Sequence, residues 1–167
     1  MIRIRRTGGA SSVIIYYQGS QAKDNDRMAS THAPQPTPQI VALVDDETQI
    51  LQALKTLLSF KGMACSVHES AESLLAAVHL EHDKLWLMTD EGHRAMVRSV
   101  VLDMNLPGMN GADLVGALRH MQQDLQIVMM TAALEDQLKE RSQDLKGVTL
   151  LSKPFSIESI ERALQIR

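Results

Sequence analysis

The sequence predicts an α/β domain: a parallel sheet of five strands, doubly wound, with helices on both faces. Two observations carry this. From Ile40 onward, short apolar runs alternate with amphipathic segments of helical period, the pattern of strands joined by crossover helices. Four of those runs also end abruptly in polar or charged residues, as strands do where they leave a core.

Five runs read as strands: Ile40–Val44, Ala64–Val67, Val100–Asp103, Ile127–Met130 and Thr149–Ser152. Between them, Ile50, Leu54, Leu57 and Leu58 share one helical face, and Ala71, Leu74, Leu75 and Val78 share another. Leu114, Val115, Leu118 and Met121 form a third stripe, Leu134 and Leu138 a shorter fourth, and Ile157, Ile160 and Leu164 a fifth. Ser156 precedes the last stripe and suits an N-cap. The link over 81–98 is long for a helix-to-strand connection. It contains Leu85-Trp86-Leu87-Met88 and is expected either to extend the second helix with a packed tail or to form a partner surface. In both cases it belongs at the amino ends of the strands.

Residues 1–38 differ from the rest. Gly8-Gly9, Ser11-Ser12, a polar stretch over 18–27 and Pro34, Pro36 and Pro38 offer little apolar surface to offset ordering entropy. They are expected to form an extended or disordered tail, with Met28 an alternative start, leaving one domain over 39–167.

Composition narrows the function. A net charge of −3 without a basic stripe gives no footprint for direct nucleic-acid binding. No apolar run approaches the ~20 residues of a membrane span, and Val13–Tyr17 is too short for a secretory core. The single cysteine, Cys65, sits in an apolar stretch and reads as a buried thiol; it fits a reducing, cytoplasmic setting. His79, His82 and His93 lack the spacing of a zinc site.

The chemistry lies at the ends of the runs: Asp45-Asp46 after the first, Asp103 after the third, Thr131 after the fourth and Lys153-Pro154 after the fifth. Each alone has a plainer reading: Asp46 or Glu47 as a helix cap, Thr131 as a strand former, Lys153 as a surface lysine. As an ordered set they point to a common site, and with Phe155 they resemble the receiver domain of two-component response regulators, the CheY-like superfamily, over roughly 39–167.

The resemblance implies a flavodoxin-like fold of strand order 2-1-3-4-5, with the site where strands one and three lie side by side. Three carboxylates converging there require a cation, and oxygen ligands with a phosphate substrate suit Mg²⁺. The resemblance assigns Asp46, Asp103 and the backbone carbonyl of Asn105 as metal ligands, Asp45 as binding through water, and Asp103 as the phosphoryl acceptor. Lys153 and Thr131 would engage the phosphoryl oxygens, and the bond before Pro154 would be cis. The implied partners are a sensor histidine kinase or histidine phosphotransfer protein and a downstream protein target. No separate substrate is expected to be turned over: the resemblance implies a chain that catalyses only its own phosphorylation and dephosphorylation. The expectation is a stand-alone receiver. Alternatives are the receiver half of a transcriptional regulator and an unphosphorylated interaction module. One departure stands out: Leu150, three residues before Lys153, occupies a place where many receivers carry a tyrosine or phenylalanine that rotates with the threonine.

Overall fold

A computed structural model describes residues 37–90, 92–132 and 145–166, together with two short strands, β1 (Ile2–Arg5) and β2 (Ile14–Tyr17). The chain divides into two compact units, Met1–Gln35 and Pro36–Arg167. In the first, β1 and β2 pair antiparallel, with Ile2 opposite Tyr17 and Arg5 opposite Ile14. The remainder of the expected tail, residues 36 and below, lies outside the described residues.

The second unit runs β3 (Gln39–Val44), α1 (Thr48–Phe60), β4 (Ala64–His68), α2 (Ala71–Ala77), β5 (His79–Glu81), β6 (Lys84–Met88), β7 (Arg94–Asp103), α3 (Gly111–Met121), β8 (Gln126–Thr131), β9 (Val148–Ser152) and α4 (Ile157–Ala163). Parallel pairing orders the strands β4-β3-β7-β8-β9, the 2-1-3-4-5 arrangement that the resemblance implied. The stripe at Leu134 and Leu138 falls outside the described residues.

Each strand feeds two cores because successive side chains point to opposite faces. Ile40, Ala42 and Val44 of β3 join Val100, Leu102, Ile127 and Met129 beneath Leu74 of α2 and Leu114 and Leu118 of α3. Val41 and Leu43 join Val101, Val128 and Met130 beneath Leu51, Leu54 and Leu58 of α1 and Ile160 of α4. Burial of both faces is why these runs read as continuously apolar. Each such leucine contributes about 1.5–3 kcal/mol. Helices α2, α3 and α4 begin where polar side chains take up orphan amides: Ser70 accepts from the Ser73 N–H at 3.1 Å, Asn110 from Asp113 at 3.0 Å and Ser156 from Ser159 at 3.3 Å.

The link over 81–98 is neither a longer second helix nor a loop. Helix α2 stops at Ala77, and the chain turns into the hairpin β5–β6, which pairs antiparallel with the first residues of β7. The sheet therefore has seven strands, and its third run begins at Arg94, six residues before the expected Val100. Leu85, Leu87, Ala95 and Val97 point into one core, while Trp86 lies on the other face with the Arg94 guanidinium 4.2 Å over its ring. The turn uses His82 and Asp83, both at positive φ (49° and 59°), as a tight two-residue hairpin turn requires. Buried Gln122, at the end of α3, accepts the Leu85 N–H at 2.9 Å and so fixes the hairpin to the α3–β8 connection. This is the amino end of β7, away from Asp103.

Candidate functional site

Asp45, Asp103, Thr131 and Lys153 all lie at the carboxyl ends of β3, β7, β8 and β9. The strand ends are locked together by backbone bonds: Met104 N–H to the Met130 carbonyl at 2.9 Å, and Lys153 N–H to the Thr131 carbonyl at 2.7 Å. The Lys153–Pro154 bond is cis, as the resemblance implied.

Asp103 is almost wholly buried, 6% exposed, and both its oxygens are engaged. Oδ2 accepts the Asn105 N–H at 2.7 Å, an Asx turn that fixes the carboxylate's orientation, and Oδ1 lies 2.6 Å from Lys153 Nζ. The same ammonium stands 3.4 Å from Oδ2 of fully buried Asp45, whose Oδ1 accepts the Glu47 N–H at 2.8 Å. One cation is thus shared by two carboxylates. Burial lifts the Asp45 carboxyl above its ordinary value; the Glu47 amide and the Lys153 charge offset only part of this, and the Asp103 charge adds to it. Burial also works against the Lys153 ammonium, but its hydrogen bond to Asp103 and the charges of Asp103 and Asp45 outweigh that and raise its pKa.

Asp46 lies one residue further out, exposed to solvent, as does Asn105. Among the described residues no three carboxylate, imidazole or thiolate side chains gather closely enough to form a ready-made metal cluster. The expected convergence of Asp45, Asp46 and Asp103 is therefore a buried pair bound to Lys153, with Asp46 at the rim. Such a donor set fits Mg²⁺, which keeps several waters and takes only one or two protein carboxylates. A buried carboxylate pair with a single ammonium between them is also short of positive charge.

Three further residues, Met104, Gly111 and Glu72, shape the site, and the sequence did not single them out. Thr131 is buried and donates its hydroxyl to the Met104 thioether at 3.2 Å. Gly111 opens α3 directly against Asp103: a Cβ there would lie 2.5 Å from the Asp103 carbonyl oxygen, so only glycine lets the helix approach this closely. Glu72 of α2 accepts the Met109 N–H at 2.9 Å, 37 residues away along the chain. Tertiary proximity creates the Met104 and Glu72 contacts, and no local sequence pattern signals them. Gly111 follows the Pro/Gly-rich loop and was readable in kind only. Leu150 lies on β9 opposite Met129 and is 40% exposed. Cys65 is partly buried, and burial lifts its thiol to about 11, which keeps it protonated near neutral pH.

The chain is similar to known proteins in sequence and in fold. The chain is 32% identical over 66 residues to sporulation initiation phosphotransferase F of Bacillus subtilis, covering 40% of this chain and 53% of that one. It is 28% identical over 133 residues to the transcriptional regulatory protein FixJ of Rhizobium meliloti, covering 76% and 57% respectively. It thus spans little more than half the length of these two relatives. The response regulator protein TrrA from Thermotoga maritima, solved in complex with Mg²⁺–BeF, shares the fold at 21% identity and a TM-score of 0.58, over 76% of this chain and 96% of that one. The family model of the response regulator receiver domain matches residues 41–165. With that match over most of its length and the ordered strand-end residues in place, the chain belongs to the response regulator receiver domain family.

Proposed function

We propose that Asp103 accepts a phosphoryl group from a phosphohistidine and that the phosphorylated chain signals by binding a protein partner or passing the group on. The observation that carries this is the Lys153 ammonium, held 2.6 Å from a nearly buried Asp103 carboxylate whose other oxygen is fixed by the Asn105 amide. A structural carboxylate has no need of a strand end, an oriented Asx turn and a shared cation together. In the reaction an Asp103 oxygen attacks phosphorus, the O–P bond forms as the P–N bond breaks, and the imidazole leaves with the electron pair. Lys153 shifts from the carboxylate to the incoming phosphoryl oxygens. Thr131 turns its hydroxyl from the Met104 thioether to a phosphoryl oxygen.

Bound Mg²⁺, held by Asp103, Asp46 and the Asn105 carbonyl with Asp45 reaching it through water, would supply the charge that lets carboxylates approach a dianionic donor. The donor is a sensor histidine kinase or histidine phosphotransfer protein. A cytoplasmic location accords with this, and no helix among the described residues is long and apolar enough to cross a membrane. A second reading, the receiver portion of a transcriptional regulator, is favoured by relatives of that description, which the chain covers only in part. A helix-turn-helix segment directly downstream of this sequence would decide for it.

Incubation with acetyl phosphate and Mg²⁺ should add one phosphoryl group to the chain in intact-mass spectra. Equal labelling of Asp103→Asn, or labelling indifferent to a chelator, would refute the proposal.

A further inference from the structure

We infer that Glu72 is a positioning residue for the metal: from α2 it clamps the apex of the β7–α3 loop and so fixes the backbone that presents the Asn105 carbonyl. The inference rests on the Mg²⁺ reading of the site and deepens it.

The loop runs from Asp103 to Gly111, and its two ends are tied internally. Asn105 N–H donates to Asp103 Oδ2 at 2.7 Å, and Gly111 N–H donates to the Met104 carbonyl at 3.0 Å. These bonds close the base of the loop and leave the stretch Leu106-Pro107-Gly108-Met109 to be held otherwise. Leu106 is buried, and Met109 packs against the same core. Pro107 has no N–H to donate. Gly108 takes φ +76°, which aims the following amide out of the loop, and Glu72 Oε1 receives that Met109 N–H at 2.9 Å.

The fit is close: a Cβ on Gly108 would stand 2.8 Å from the same carboxylate oxygen. A charge-assisted hydrogen bond from a backbone amide to an ionised carboxylate is about twice as strong as a neutral one. Ser70 caps α2 and Leu74 seats it in the core, so the clamp stands on an anchored element. Groups that orient a metal's ligands without touching the metal set its affinity, through the entropy of holding the ligand in place.

The test uses the full chain and titrates it with Mg²⁺ alone, following backbone amide shifts of Asp103 and Asn105 by NMR. Glu72→Ala should weaken Mg²⁺ binding about tenfold, the lower end for an orienting group acting at one remove, while Glu72→Gln, whose amide oxygen still accepts from Met109, stays within about twofold of wild type. Hydrogen exchange at the Met109 amide should quicken in Glu72→Ala and remain near wild type in Glu72→Gln. Glu72 is itself exposed on the first turn of α2, so neither change touches the core.

Rescue by glutamine separates a hydrogen-bonding clamp from a general charge effect. If both variants lose affinity equally, or if Glu72→Ala lowers only the melting temperature and binds Mg²⁺ as wild type does, the inference is overturned. If wild type itself shows no Mg²⁺-dependent shifts, the metal reading of the site fails and takes this inference with it.

Discussion

The Lys153 ammonium and the nearly buried Asp103 carboxylate, brought together from the ends of β9 and β7, stand 2.6 Å apart, with the lysine side chain still partly open to solvent. Asp45 competes for the same ammonium at 3.4 Å, which makes the site a charge imbalance waiting for a second cation. That imbalance is built into the fold and has consequences for stability as well as for chemistry.

Asp45 carries the stability cost. Its folded pKa is raised above the ordinary 3.8 chiefly by burial, so the folded state binds the proton more tightly than the unfolded chain. The associated stabilisation is full below the unfolded value and is lost as pH rises through the folded one. Without divalent metal, Asp45→Asn should therefore be more stable than wild type at about pH 7, and the difference should shrink as pH falls toward about 4. Urea unfolding in chelator across this range measures it. A variant less stable than wild type at neutral pH would show that the ion pair with Lys153 outweighs desolvation.

Gln122 and the hairpin supply a second test. Removing the side-chain acceptor leaves the buried Leu85 N–H without a partner, at a cost of about 1–3 kcal/mol. Gln122→Ala should lower stability by that amount, whereas breaking the exposed, solvent-screened Lys84–Asp124 ion pair should change it little. Trp86, the chain's only tryptophan, lies on the hairpin, so its fluorescence reports the loss directly. Phosphorylation of Asp103 should be unchanged, because the hairpin sits at the opposite end of β7. Impaired labelling in Gln122→Ala would mean the two ends of the strand are coupled.

Leu150 bears on how a phosphoryl group is sensed. An aliphatic side chain on β9 cannot make an aromatic rotation, so movement of Thr131 away from Met104 must be passed on by repacking or loop rearrangement. Loading with beryllium fluoride and Mg²⁺ should change hydrogen exchange mainly around Thr131 and the segment after it, with little change across β9 and α4. Comparable changes in β9 and α4 would show that the coupling works without an aromatic residue.

Residues 1–38 should be dispensable for folding of the receiver. A chain starting at Gln39 should keep the stability of the full chain within about 2 kcal/mol, itself a large share of a typical domain's total. A greater loss in urea unfolding would show that residues 1–38 are needed for the stability of the receiver.

What the sequence discloses follows from where the physics is local. The strands of the parallel sheet are buried on both faces, so Ile40–Val44 and Ile127–Met130 stand out as apolar runs, and the switch to Asp45 and Thr131 marks their ends. The hairpin escaped notice for a local reason too. Leu85 and Leu87 alternate with Trp86 and Met88, which are also apolar, so the period of two is hidden, and the turn at His82-Asp83 lacks the glycine that signals a hairpin. The Lys153–Asp103 pair was legible only as two strand ends of an ordered set. That Asp46 would stand at the rim while Asp45 is buried depends on how the chain leaves β3, and neither residue type nor spacing encodes that.

The central claim, that Asp103 is the phosphoryl acceptor, is tested most directly by trapping the product. An aspartyl phosphate is reduced by borohydride to homoserine, which marks the modified position permanently. After treatment with acetyl phosphate and Mg²⁺, then borohydride, peptide mass spectrometry should find homoserine at position 103. Homoserine at position 45 or 46 instead, or at no position in a chain that intact mass shows to be phosphorylated, would contradict the account.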